Sequence, residues 1–365
     1  MSQVLGGKKR FVNERIKLTI ATFIKRLSKS LKLSPTLFSR PFGLLDIGAR
    51  GGLQSPWDTI PAKYLRTTLV EPDPNEAAQL RRDWEEAGCG AVLQTALWSE
   101  EKMLKLNVNQ SPGTSSVFPS NFSLLDQFPD SQRYKTISTF DVPAKTVDGI
   151  AAANGLDHID FAKIDAQGAE LAILQGGVEY FTRNLVGIEV EVEFCPLYSG
   201  QPLFSDVDVF VRGIGLELWD LRLAYWKYER GRHIPSAEKG RLVFGDALYF
   251  RPVKNLRHWL STMPMKQAQS KATMMVVAAL VYGYVDYAIT VLNEPTIAQF
   301  FESETRSELE HSIRSISGDF RIPQKGNRIL SKLFNTLSLA TKKSHLQWAM
   351  SSGRLGSCRI GPFWS

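Results

Sequence analysis

The sequence predicts an α/β protein of Rossmann-like architecture, on three observations. Short apolar runs alternate with helical stretches from residue 42 onward, their separation suits βαβ crossovers, and several end in an acidic residue before a turn. The runs are Phe42–Ile47, Thr67–Val70, Ala91–Leu97, Phe161–Ile164 and Leu185–Phe194. A strand covered on both faces reads as such a continuous run, and strands separated by helices close into a parallel sheet. Helices are expected at 57–64, 75–87, 146–154, 168–176 and 205–213, with closing strands at 216–223 and 247–250. The connection Tyr225–Gly240, rich in charge and glycine, reads as an exposed loop. Residues 99–145 depart from this repeat. They are more polar, and Leu104–Val108 and Thr136–Val142 alternate as strands, so the segment is read as an excursion over the mouth of the sheet.

The 365 residues accommodate one large domain with appendages, and 43% hydrophobic content is enough for a sizeable core. Three cysteines (Cys89, Cys195 and Cys358) lie far apart with no C-x-x-C pair. Neither a disulfide framework nor a cysteine zinc site is expected, and a cytoplasmic setting fits. Charge is unevenly placed. Residues 1–40 carry ten Lys/Arg against Glu14, and residues 321–365 carry eight with no acid, which leaves 26 basic against 36 acidic residues between them. A net-negative centre argues against a nucleic-acid partner. The basic ends, with Ile16, Ile20, Phe23, Ile24, Leu27 and Leu31 at helical spacing in the first, fit a helix packed on the core or a peripheral contact at the inner face of a membrane. No secretory leader pattern is read at the start of the sequence. Residues 272–292 are strongly apolar, but Asp286 interrupts them, so a buried helix is expected rather than a span.

Four stretches carry chemistry. In Leu44-Leu45-Asp46-Ile47-Gly48-Ala49-Arg50-Gly51-Gly52 a strand runs into a carboxylate and a glycine turn. Ligands of such sheets bind beyond the carboxyl ends of the strands. Arg50 breaks the G-x-G-x-x-G pattern, and a carboxylate there repels a pyrophosphate but suits a cationic ligand, which favours S-adenosylmethionine over a nicotinamide cofactor. The alternative is a plain β–α turn with a capping Asp. In Val70-Glu71-Pro72-Asp73-Pro74, Glu71 stands one βαβ spacing after Asp46, where an acid accepts ribose hydroxyls. Asp165 closes the run Phe161–Ile164 and precedes Gly168 and Glu170; it is placed to orient a methyl donor or an acceptor, or to cap a helix. Glu189, Glu191 and Glu193 share one face of a strand. An acidic face inside a parallel sheet is unusual, and Glu191 and Glu193 are read as cleft residues able to take a proton. Tyr198 and Gln201 follow as candidate substrate contacts.

DIGARGG (46–52), VEPDP (70–74), GTSSVF (113–118), TVDG (146–149), FAKIDAQGAELAILQGG (161–177) and EVEFCPLYSGQPLF (191–204) together resemble the FkbM-type methyltransferase family. The resemblance covers about residues 41–252. It implies a class I methyltransferase fold, a seven-stranded and mostly parallel sheet flanked by helices, and methyl transfer from S-adenosylmethionine to an acceptor, usually an oxygen. The chain departs from the family's pattern at Arg50 and Gln167, where the family often has Asn and Glu. The expected organisation is a basic helical extension (1–40), a methyltransferase domain (41–254) and a helical C-terminal extension (255–365). Expected cofactor contacts are Asp46, Gly48, Ala49, Gly51, Glu71, Pro72, Asp73, Ser116 and Asp165; expected catalytic residues are Asp165, Glu191, Glu193 and Tyr198; no metal is expected. The expected acceptor is a hydroxyl of a sugar, glycan precursor or other small metabolite. The alternatives are a non-catalytic cofactor-binding module and a nicotinamide oxidoreductase.

Overall fold

The computed structural model describes residues 40–318 and 348–355, apart from short gaps at 87, 154–155, 157, 233–239, 302, 352 and 354. The basic N-terminal stretch and nearly all of 319–365 lie outside the described residues. The main sheet is built from β1 (Phe42–Ile47), β2 (Leu65–Val70), β3 (Gly90–Leu93), β7 (Phe161–Ile164), β8 (Gly187–Glu193), β9 (Glu217–Trp226), β10 (Arg241–Phe250) and β11 (Ala349–Ser351). Their spatial order is β11-β9-β10-β8-β7-β1-β2-β3. The first five strands in sequence are mutually parallel, and β10 runs antiparallel to both β8 and β9. Without the three-residue β11 this is the class I methyltransferase fold: seven strands with a single reversed one. The short β11, antiparallel on the outer edge of β9, is an addition to the expected sheet.

Three differences from the sequence reading have local causes. The run Ala91–Leu97 divides, with β3 in the main sheet and β4 (Ala96–Leu97) pairing with β6 (Thr136–Lys145). β6 also pairs antiparallel with β5 (Lys102–Asn109), so the excursion is a small sheet of its own, in order β4-β6-β5. The helix expected at 57–64 is two single 3₁₀ turns, Trp57–Thr59 and Ala62–Tyr64. Pro61 lacks an N–H and forces extended backbone on the residue before it, and Ile60 is extended. The apolar stretch 272–292 is divided between helices Met265–Val281 and Val285–Leu292, separated at Gly283, whose φ of +79° is open to glycine at little cost. Among the described residues no helix is long and apolar enough to cross a membrane.

Each face of the sheet buries its own core. On one face Leu45, Ile47, Ile164, Ile188 and Val190 pack with Val147, Ile173, Phe181 and Val211 from the intervening helices. On the other, Phe42, Leu44, Phe161, Leu248 and Phe250 pack with Leu256, Met275, Ala279 and Val291 from the C-terminal helices. Burying each large side chain in this second core contributes about 1.5–3 kcal/mol. One ion network pins these helices to the sheet. Asp160, fully buried, takes both guanidinium nitrogens of Arg40 (2.6 and 2.7 Å), the ammonium of Lys271 (2.8 Å) and the backbone N–H of Gly43 (3.0 Å). Burial alone would raise the Asp160 carboxyl, but Lys271 and Arg40 overcome it and hold it below the usual range.

Removing one partner of such a network leaves buried charge without compensation. Asp160→Ala is therefore expected to cost about 3–5 kcal/mol in urea unfolding. An Arg314→Ala control, which breaks an exposed ion pair with Glu310, is expected to cost less than about 1 kcal/mol.

Candidate active site

A cleft of about 310 Å³ opens beyond the carboxyl ends of β1, β2 and β7, under the excursion. Ile47, Val70, Leu97, Leu106, Val117 and Ile173 give it apolar walls, and Glu71, Asp165 and Gln167 bring polar groups. Pro112, Gly113 and Ser115 reach it from the excursion, as a segment over the strand ends should.

The glycine turn is fixed by contact. Gly48 has φ +79°, and a Cβ there would lie 1.9 Å from the carbonyl oxygen of Asp165, so only glycine lets β1 and β7 end side by side. The N–H groups of Gly48 and Ala49 both donate to Val70 O, which ties the turn to β2. Gly48 lines the cleft; Ala49 is buried under it against Leu69, Ala77 and Leu80; Gly51 donates to Glu76 and is not in the cleft wall.

Glu71 and Pro72 line the cleft at the end of β2, and Asp73 caps the helix Pro74–Leu80, accepting from Asn75 N and Glu76 N. Arg50 reaches this corner, 2.8 Å from Asp73, 3.1 Å from Glu76 and 3.8 Å from Glu71. The cation of the non-family position is thus drawn to the second strand, away from Asp165. Arg50 and the two N–H donors hold Asp73 below its usual range despite partial burial. Burial has the upper hand at Glu71 and pushes it to about 7, although Asp73 N–H and Arg50 oppose it.

Asp46 is placed elsewhere than the sequence reading expects. Its side chain is buried beneath the sheet edge, outside the cleft lining, with Lys163 Nζ 3.7 Å away. The same ammonium lies 3.7 Å from Asp165, which does line the cleft. Burial raises Asp46, with Lys163 opposing, while Asp46 and Asp165 together keep Lys163 firmly protonated. Asp46 and Lys163 are register partners, as are Lys163 and Glu189, so three adjacent strands set these charges in a row.

Gln167, with φ +53°, is the junction between the cleft and the acids behind it. Its Nε2 donates to Asp165 (3.0 Å) and Glu191 (2.6 Å), and its Oε1 faces the Tyr198 hydroxyl at 2.8 Å. Tyr198 is fully buried and also faces Thr114 O at 2.8 Å; burial pushes its phenol well above the ordinary range. Ser116 is buried behind the same loop, donating to Gln167 O and accepting from Phe118 N, while its neighbour Ser115 faces the cleft. Glu191 and Glu193 lie behind Gln167 rather than in the cleft wall. Their carboxylates and that of Glu170 approach within 4.8 Å of one another. Glu170 accepts from Ala166 N and Gly168 N, and Glu191 from Gln167, so each is held by N–H donors. Burial raises all three, with repulsion from Asp165 adding to it, Glu170 to about 7. The sequence reading missed Lys163, whose strand position pairs it with two acids, and Gln54 and Thr95, which nothing in the pattern marks as cleft residues.

An acid raised in the folded state keeps its proton there after the unfolded chain has lost it, so stability falls as pH rises from the unfolded value toward 7. Glu71, Glu170 and Glu189 all stand at about 7. The melting temperature of the ligand-free protein is expected to fall between about pH 5 and 8. Glu71→Gln is expected to reduce that fall and to melt higher than the wild type at the alkaline end.

Residues 46–218 match the family model described as the methyltransferase FkbM domain. The 2-O-methyltransferase NoeI of Sinorhizobium fredii is 24% identical over 185 residues, which cover 47% of this chain and 75% of NoeI. The crystal structure of methyltransferase FkbM from Methylobacillus flagellatus is similar at 13% identity and a TM-score of 0.32, over 56% of this chain and 43% of that one. This chain therefore spans less than half the length of that protein. A TehB-like SAM-dependent methyltransferase from Corynebacterium glutamicum is similar at 12% identity and a TM-score of 0.27, over 65% and 98%. The chain thus carries a methyltransferase FkbM domain at residues 46–218, on the class I methyltransferase fold that its strand order defines.

Proposed function

We propose that the cleft binds S-adenosylmethionine and that the protein transfers its methyl group to a hydroxyl oxygen of a sugar, glycan precursor or other small metabolite. The observation that carries this reading is the cleft itself, with Gly48, Glu71 and Asp165 brought to one sheet edge by β1, β2 and β7. The residues present suit that ligand. Glu71 is a ribose acceptor, the apolar walls suit a flat base, and Asp165 is an anion for a cationic centre. The carboxylates of Glu71 and Asp165 in the cleft wall, with the nearby cation Arg50 already paired to Asp73 and Glu76, disfavour a pyrophosphate and with it a nicotinamide cofactor. The 2-O-methyltransferase relative supports an oxygen acceptor.

The donor, when bound, supplies a methyl carbon on a positively charged sulfur. The carbon–oxygen bond forms as the carbon–sulfur bond breaks, and the hydroxyl proton must leave. Asp165 is the best-placed acceptor for that proton, being in the cleft wall with Lys163 and Gln167 to fix its orientation. Glu191 acts one step removed, through Gln167, and Tyr198 stays protonated and holds that loop. Excluding water and aligning the hydroxyl fall to the segment Pro112–Val117 above the cleft.

Calorimetric titration with S-adenosylmethionine, beside an NAD control, tests the reading. Saturable binding that Glu71→Ala weakens by at least about tenfold is expected, and NAD binding in its place would overturn the reading. With an acceptor that the wild type methylates, Asp165→Asn is expected to lower kcat by about 10²–10⁴ and to weaken donor binding by about tenfold. Arg50, drawn into the ribose corner, favours one second reading, a cofactor-binding module without turnover. Donor binding without methyl transfer to any hydroxylated acceptor tried would move the function there.

A further inference from the structure

The charge row beneath the cleft ends on a residue outside the FkbM domain. Tyr282 closes the helix Met265–Val281 and is buried against the sheet face that carries Lys163 and Glu189. Its hydroxyl donates to Glu189 Oε2 at 2.5 Å and accepts from Trp57 Nε1 at 3.1 Å. Its ring lies 5.5 Å from Phe161, 5.9 Å from Phe250 and 5.8 Å from Trp57, so ring packing and the two hydrogen bonds together fix the hydroxyl. Glu189 is the register partner of Lys163, and Lys163 is shared with Asp46 and with Asp165 in the cleft wall. A hydrogen bond from an appended helix to Glu189, the charge interaction of Glu189 with its register partner Lys163 and the ion pair of Lys163 with Asp165 thus link that helix to the cleft.

We propose that Tyr282 is a positioning residue for the donor site: by donating to Glu189 it keeps a negative charge beside Lys163, so that the ammonium does not cancel Asp165 and the cleft stays selective for a cationic sulfonium over its neutral thioether product. This rests on the S-adenosylmethionine reading above. The groups facing Glu189 are Lys163 from β7, Asp46 beyond it on β1, Asp246 from β10, Arg222 from β9 and Tyr282. Burial and Asp246 work against its charge and push it to about 7, whereas Tyr282, Lys163 and Arg222 support it. Arg222 is already held by Asp246 at 2.6 Å, which leaves the Tyr282 hydroxyl as the donor closest to Glu189. Without it the Glu189 carboxyl rises further and holds its proton to higher pH, more of the charge of Lys163 falls on Asp46 and Asp165, and the field at the cleft becomes less negative.

The test is the ratio of affinities for S-adenosylmethionine and S-adenosylhomocysteine, measured by calorimetry at about pH 8, above the Glu189 value, on the full chain. The two ligands share adenosine and amino-acid groups and differ in the methyl and the positive charge. Tyr282→Phe keeps the ring, and Glu189→Gln keeps the shape and the acceptor oxygen. Each is expected to weaken the sulfonium by about tenfold while moving the thioether by less than about twofold. The double variant is expected to lose no more than either single one, because both remove the same charge. Trp57→Phe, which leaves the Tyr282–Glu189 bond in place, is expected to lower the melting temperature and leave the ratio unchanged. An unchanged ratio in Tyr282→Phe and Glu189→Gln, equal loss of both ligands, or additive losses overturn the proposal. A wild-type protein that binds neither ligand instead overturns the donor-site reading on which it rests.

Discussion

Where β1, β7 and β8 run side by side, their register sets Asp46, Lys163 and Glu189 in one line, and most of the site's organisation depends on how that line balances. A carboxylate moved from water into a sheet interior carries a desolvation cost that only a close cation or several donors can offset. Lys163 provides that offset at two oxygens at once. The consequence is a cleft wall whose charge is set from below. Asp165 faces the ligand space, but its counter-charge lies under the sheet and is divided among neighbours that no ligand touches.

The appended helices belong to the same balance. They cover the lower half of one sheet face with an apolar core, and they end where the polar half begins. The Arg40–Asp160–Lys271 network locks their approach at the start of the parallel strands, and the Trp57–Tyr282–Glu189 contacts meet the sheet a little further along, over Phe161 and Phe250. Trp57 belongs to the turn that follows the glycine loop, so the loop under the cleft and the C-terminal helices share a packing surface. Structural stability and site electrostatics are therefore supplied by the same segment.

Much of this was legible in the sequence, for physical reasons. Buried parallel strands must be apolar, so β1, β7 and β8 announced themselves, and the acid-then-glycine endings marked the sheet edge that bears the cleft. Residue parity places Asp46 on the face of Phe42 and Leu44, but with both faces apolar nothing in the pattern says which one the cleft occupies. The same ambiguity hid the position of Glu191 and Glu193 behind Gln167. Ser115 and Ser116 exchange roles because a single-residue difference in a turn reverses which side chain faces the cleft. Tyr282 lies 93 positions from Glu189, and no local spacing rule connects them. Proline chemistry was the missed local signal, since Pro61 was enough to divide the helix expected at 57–64.

The short strand β11 carries a consequence of a different kind. It pairs with the last residues of β9, and Lys227 N donates to Trp348 O just beyond. Without it, that end of β9 would present unpaired N–H and C=O groups along the outer margin of an eight-stranded sheet. Such a margin is a template for another chain's strand, and the residues behind it, Trp226 and Val243, are among the buried apolar ones. Three residues from the far end of the sequence thus act as a guard against edge-to-edge growth. Colloidal behaviour, not catalysis, is where their loss would be felt first.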